Sequence, residues 1–144
     1  VSLQEGSCKI YYLHYTGSVV QSQRKTLWEG VLLQCKDLAG PARIIIANIY
    51  SDQFLIHDIS LGLDKLAKTP EPLCSLKFHP YGGVVTLDVR GRVSKYSSDI
   101  NQEPSLLWRC QTVAKAHALA VDKKTGLVYV TCTGQTLYII DEGG

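Results

Sequence analysis

His57 and Asp58, with Ser60 two residues further on, are the residues of this sequence whose types could assemble nucleophilic chemistry. A serine hydroxyl needs an imidazole to take its proton and a carboxylate to hold the ring. Within a strand, however, adjacent side chains point to opposite faces, so His57 and Asp58 address different sides of a sheet and are expected to be a surface or strand-edge pair. His79 stands before Pro80, and the residue before proline is pushed to extended backbone, so His79 is expected to fix a turn between strands. Asp88, Asp99, Asp122 and Asp141 recur near the ends of strand-like runs, where an aspartate caps turns by accepting backbone N–H groups. A calcium loop needs oxygen ligands at alternating positions, whereas Asp122 is followed by Lys123 and Lys124.

The remaining chemistry-bearing residues form no recognised constellation. No nucleophile elbow, phosphate loop, dinucleotide fingerprint or His-Glu-x-x-His helix is present. The five cysteines, Cys8, Cys35, Cys74, Cys110 and Cys132, are odd in number and contain no Cys-x-x-Cys pair. They read as buried free thiols beside apolar strand neighbours rather than as a disulfide framework or a zinc site. No catalytic residue, no metal and no cofactor is therefore assigned, and a non-enzymatic role is expected. An enzyme would instead reveal itself as a buried cluster of His57, Asp88 or Asp122.

Residues suited to binding are commoner. Arg90, Arg92 and Lys95 cluster beside Tyr96, and Arg24 and Lys25 precede Trp28. Exposed mixtures of basic and aromatic residues are typical of protein interfaces, so these six are the expected partner-binding residues. Arg92 and Ser94 on one face with Val93 on the other is equally the pattern of a solvated edge strand. Trp28 and Trp108 each follow a leucine and are expected to pack between sheets.

The elements that must carry these residues are short and β-rich. In 144 residues, 45% are hydrophobic and 19% charged, with a net charge of +2, which suits one core of ordinary domain size and no charged tail. No apolar run reaches the roughly 18 residues of a membrane helix. Methionine is absent and the chain starts at Val1, so a processed product or a fragment is expected. No N-terminal signal segment and no Asn-x-Ser/Thr site occurs, which leans towards an intracellular, cytoplasmic or nuclear, location. Period-two runs separated by turn residues predict four hairpins: 8–16 with 18–23, 43–50 with 53–60, 84–90 with 92–97, and 127–133 with 135–141. Further strands are expected at 26–30, 31–37, 73–79, 105–111 and 115–121, about fourteen in all. Residues 61–68 and 112–120 hold good helix formers, so an α+β alternative has them as short helices.

The hairpins recur. Gly83 and Gly126 are 43 residues apart, as are Gly91 and Gly134, and Gly40 lies 43 before Gly83. At that offset Val84–Leu87 falls on Leu127–Val130. Repeats of about 40 to 45 residues with several strands each are the mark of propeller blades. Residues Asp122 to Asp141 (DKKTGLVYVTCTGQTLYIID) resemble a YVTN-type propeller repeat, and Leu76 to Tyr96 (LKFHPYGGVVTLDVRGRVSKY) resembles a WD40-like blade. The latter is also similar to the repeats of tachylectin-type and tectonin-type lectin propellers. The chain contains neither a Trp-Asp nor a Gly-His dipeptide, so the resemblance is to β-propellers broadly.

The resemblance implies an all-β fold of about three and a half four-stranded blades, a single unit over 1–144 with blades near 8–30, 31–70, 71–111 and 112–144. It further implies a protein-interaction scaffold that is a fragment of a longer propeller, a subunit completed by another chain, or an unusually small closed four-blade ring; the near-neutral charge and the short apolar runs lead to the expectation of no nucleic-acid or membrane partner. A lectin propeller with sugar pockets between blades is the alternative, which requires similar polar and aromatic residues at equivalent blade positions.

Overall fold

A computed structural model describes the backbone of residues 5–13, 19–28, 31–35, 43–48, 52–58 and 61–144, and the side chains of 43–45, 47, 52–58 and 61–144. The described residues form thirteen strands and no helix. They are β1 (Glu5–Leu13), β2 (Val19–Trp28), β3 (Val31–Cys35), β4 (Arg43–Asn48), β5 (Gln53–Asp58), β6 (Leu63–Lys68) and β7 (Leu73–Phe78), followed by β8 (Val84–Asp88), β9 (Arg92–Tyr96), β10 (Leu106–Gln111), β11 (Ala116–Val121), β12 (Val128–Cys132) and β13 (Thr136–Ile140). All pairing is antiparallel between consecutive strands. β1–β2 is a hairpin, β3–β6 and β7–β10 are four-stranded sheets, and β11–β13 is a three-stranded sheet. The fold is all-β and open rather than a closed barrel.

The α+β alternative is overturned. Residues 63–68 form β6, paired with β5 from Gln53–Lys68 to Asp58–Leu63, and the 112–120 segment holds β11. Pairing against a neighbouring strand outweighs the modest helix propensity of Leu, Ala and Lys. The two strands expected at 18–23 and 26–30 are one, β2, which runs through Arg24 and Lys25.

Two apolar cores hold three sheets together. One lies between the first four-stranded sheet (Ile45, Phe54, Ile56) and the second (Leu73, Val84, Tyr96). The other lies between the second (Val85, Leu87, Val93) and the three-stranded sheet (Leu119, Val128, Val130, Ile140). Alternate residues of the second sheet thus serve opposite cores, and every residue of β8 is buried, as expected for a strand covered on both faces. The first strands of successive sheets adjoin, β7 touching β3 on one side and β11 on the other.

The sheets repeat with a register that the glycine spacing hides. Leu76 and Leu119 hold equivalent places, 43 residues apart, opposite Thr86 and Val130 respectively. Those partners are 44 apart. Five residues, 79–83, join the paired ends of β7 and β8, whereas six, 122–127, join those of β11 and β12. The 43-residue offset therefore holds as far as this turn and becomes 44 beyond it, so that Val84 corresponds to Val128 and Tyr96 to Ile140.

In the next turn the same step places Gln135, at φ 59°, where Gly91 sits at φ 78°. Left-handed backbone costs a non-glycine residue roughly 1–2 kcal/mol. Gln135 is exposed, so Gln135→Gly is expected to stabilise the chain by about 1 kcal/mol, seen as a higher urea midpoint with unchanged slope.

Candidate functional site

The sequence-predicted residues divide into three places. Arg90 and Arg92 flank the β8–β9 turn, which Asp88 organises. Asp88 Oδ1 accepts the N–H groups of Arg90 at 2.9 Å and Arg92 at 3.0 Å, and its Oδ2 accepts Arg92 Nε at 3.0 Å. Glu71 adds ion pairs to Arg90 at 3.2 Å and Arg92 at 3.5 Å. The two arginines are therefore charge-compensated, with Arg90 the exposed member.

Asp99, Asp122 and Asp141 cap turns in the same way, each accepting the N–H two residues on, from Asn101 at 3.0 Å, Lys124 at 2.8 Å and Gly143 at 3.0 Å. The expected capping role is thus observed for all four aspartates. Asp88 is the buried one, so Asp88→Ala removes the acceptor of two backbone amides and the partner of Arg92, and is expected to cost about 2–3 kcal/mol. Asp88→Asn retains an acceptor and is expected to recover about half of that loss in urea unfolding.

Lys95 and Tyr96 are not the exposed pair that the sequence suggested. β9 lies between β8 and β10, so it is an interior strand and both residues are buried. Tyr96 joins the first core, stacks edge-on against Phe54 at 5.5 Å, and its hydroxyl accepts Arg109 Nη2 at 3.1 Å. Lys95 points the other way, and its Nζ donates to Glu142 Oε1 at 2.6 Å. Arg24 and Lys25 lie in β2, where they pair in register with Lys9 and Cys8. Their side chains, like that of Trp28, fall outside the described residues.

His79 forms the seam between the second and third sheets. Its ring is buried, Nδ1 accepts the Tyr81 N–H at 3.2 Å, and Nε2 lies 2.8 Å from the Gly126 carbonyl. This pattern fixes a neutral ring protonated on Nε2. Tyr81 packs edge-on against it and donates its hydroxyl to the Lys124 carbonyl. His79 does hold a turn, and it also ties that turn to the next sheet.

Burial lowers the His79 pKa below its ordinary value, and Lys95 lowers it further, against the raising effects of the Gly126 bond and of Glu142. The unfolded chain then binds more protons below the ordinary histidine pKa of about 6.5. Stability should accordingly fall as pH drops below that value and level off once the folded-state pKa is passed. Melting temperatures between pH 7.5 and 5.5 should decline in the parent and flatten in His79→Gln.

His57 and Asp58 take different partners, as expected of neighbours in a strand, but they are not the surface or strand-edge pair that the sequence suggested: β5 lies between β4 and β6, and both residues are buried. His57 Nδ1 meets Asp64 Oδ1 at 2.6 Å across the β5–β6 pair. Asp58 instead takes Arg43 Nε at 3.1 Å and the Leu61 N–H at 2.9 Å. Ser60 lies outside the described residues. Among the described residues no group of three His, Cys, Asp or Glu has metal-site geometry. Cys74, Cys110 and Cys132 are free, and Cys132 is buried, but Cys74 is exposed, at the register shift between Leu73 and Ser75 that leaves it without a partner residue on β8. Cys8 and Cys35 carry no described side chains. Trp108 packs against the second core.

The feature that sequence reasoning missed is the far face of the three-stranded sheet. By register it holds two rows, Ala118–Thr131–Leu137 and Ala120–Tyr129–Ile139. Leu137 is 52% and Ile139 59% exposed, and neither row contains a charge. The alternation of Leu137 and Ile139 in a strand without charged residues was the available signal. Comparison with protein-family models and with curated proteins finds no match.

Proposed function

We propose that this chain is a stretch of β-propeller-like blades that works as a non-enzymatic protein-interaction scaffold. The observation that carries this reading is the serial packing of three meander sheets, first strand beside first strand, ending in a sheet whose far face exposes Leu137 and Ile139 and is covered by no other sheet among the described residues. An uncovered apolar sheet face bordered by an unpaired edge is a site for protein association rather than for solvent.

The sugar-binding alternative calls for like residues at like positions. Here Arg92 and Lys95 correspond to Thr136 and Ile139, which carry no charge. The reading is tested by panning a phage-displayed peptide library against the immobilised folded chain beside a glycan array. Enrichment of uncharged, β-forming peptides with a silent array is expected. Saccharide binding, inhibited by a free monosaccharide and without peptide enrichment, would reverse the conclusion.

A further inference from the structure

His79 closes the seam between the second and third sheets with a ring whose two nitrogens are both committed. Nε2 lies 2.8 Å from the Gly126 carbonyl, which can only accept, and Nδ1 lies 3.2 Å from the Tyr81 N–H, which can only donate. His79 is 1% exposed, so a second proton, which has to sit on Nδ1, meets an N–H rather than solvent. Tyr81 hangs from that nitrogen. Its amide is held there, its ring packs edge-on against His79, and its hydroxyl donates to the Lys124 carbonyl on the β11–β12 turn. The far side fits as closely, since a Cβ at Gly126 would stand 2.9 Å from both His79 Cε1 and Tyr81 Cε2.

The carboxylates around the ring do not titrate with it. Glu142, on the segment after β13, places Oε2 3.7 Å from His79 Nε2 and Oε1 2.6 Å from Lys95 Nζ of β9. On the β11–β12 turn Asp122 accepts the Lys124 N–H, and the side chains of Lys123 and Lys124 are exposed. The bond from Lys95 holds the Glu142 carboxyl below its ordinary range, and the Lys124 amide does the same for Asp122. Both stay ionised while the ring takes up its proton. Lys95 then repels the imidazolium and Glu142 attracts it, but the contacts of both leave Nδ1 facing the Tyr81 amide.

We propose that the 79–83 turn is a proton-operated latch between the second and third sheets: a proton taken from solvent onto His79 Nδ1 ejects the Tyr81 amide, and the turn swings away from the β11–β12 turn. Protonation converts Nδ1 from acceptor to donor, so the Tyr81 N–H turns to solvent and its hydroxyl leaves the Lys124 carbonyl. The second core, from Val85 and Leu87 to Val128 and Val130, contains none of these groups. The sheets therefore stay packed while the latch is open. Burial disfavours the charged ring and Lys95 adds to that, against the Gly126 bond and Glu142. The latch is accordingly shut at neutral pH and opens below the ordinary histidine value of about 6.5. It requires no partner and is independent of the scaffold reading.

Residue-resolved NMR of the full chain, titrated from neutral pH downwards and combined with hydrogen exchange corrected for its intrinsic pH dependence, tests this. The Tyr81, Gly82 and Gly126 amide signals should move along the same curve as His79 Cε1. Exchange at the Tyr81 amide should rise by about tenfold for each unit that pH falls towards the midpoint, as one coupled proton requires. The Val85 and Leu87 amides should keep their protection. His79→Gln, whose side-chain amide donates and accepts at any pH, should hold Tyr81 protected throughout. Glu142→Gln, at an exposed position, should move the midpoint to lower pH by removing the charge that favours the imidazolium. Should His79→Gln unfold, the shift in Glu142→Gln carries the test.

A ring that titrates while the Tyr81 and Gly126 amides stay where they are overturns the latch. Loss of protection at Tyr81, Val85 and Leu87 together overturns it as well, because that is unfolding rather than opening. The same Tyr81 response in His79→Gln, or a midpoint unmoved in Glu142→Gln, would assign the change to another group and reject His79 as its trigger.

Discussion

Phe54→Ala should lower stability by about 3–5 kcal/mol, the usual loss for a fully buried aromatic replaced by alanine. Phe54 has no exposed surface and lies in the core between the two four-stranded sheets, its ring edge-on to Tyr96 at 5.5 Å. Truncation removes the transfer energy of the ring, its aromatic contact and the packing on Ile45, Ile56, Leu73 and Val84, all members of the same core. A domain of this kind is stable by only about 5–15 kcal/mol in total. The melting temperature should therefore fall by roughly 6–20 °C at 2–4 °C per kcal/mol. Leu66→Ala is the control, since Leu66 is on the exposed side of β6 and should change stability by less than about 1 kcal/mol. Equal losses for the two variants would mean that no core exists between these sheets.

Gly83→Ala should be nearly as damaging for a different reason. Gly83 adopts φ 98°, and a Cβ built on it would stand 2.7 Å from the Tyr96 carbonyl oxygen and 3.1 Å from the Lys95 side chain. The carbonyl belongs to the β8–β9 ladder and cannot withdraw without breaking strand pairing. Backbone strain alone costs about 1–3 kcal/mol, and the clash adds to it, for an expected loss of about 3 kcal/mol or more. Gly82 separates the two contributions, because at φ 102° it has nothing within 4 Å of a built Cβ. Gly82→Ala should thus show the strain without the clash, and the difference between the two urea midpoints measures what the Tyr96 carbonyl excludes.

Strand content was legible because turn residues and period-two runs coincide, as at Asp88 to Gly91, where the capping aspartate and the left-handed glycine both appear in the sequence. β6 was harder to read. Leu63–Lys68 satisfies helical composition locally, and only the ladder with β5, a tertiary fact, makes it a strand. The repeat was legible as glycine spacing, but matching Gly91 to Gly134 conceals the added residue in the β11–β12 turn and shifts every facing by one. That shift is what obscured the uncovered face: at an offset of 43, Ile139 is matched with Tyr96, a core residue, whereas the true match is Lys95.

The partner-binding residues were read from type rather than position. Lys95 and Tyr96 look like an exposed basic-aromatic pair, yet a strand with a neighbour on each side and a sheet on each face buries both. Edge or interior status depends on the strand count beyond the hairpin, and the outer strand β10 lies ten residues away across the 97–105 segment. His79 was legible as a turn residue, while its bond to the Gly126 carbonyl spans 47 positions and leaves no local trace.

The central claim is that the three-stranded sheet turns one face to the second sheet and leaves the other exposed. Hydroxyl-radical footprinting with residue-level mass spectrometry tests it most directly. Val93 and Val130, fully buried between these sheets, should react slowly. Leu137 and Ile139, 52% and 59% exposed, should react fast. Val93 and Val130 reacting as readily as Leu137 and Ile139 would contradict the packing of these sheets.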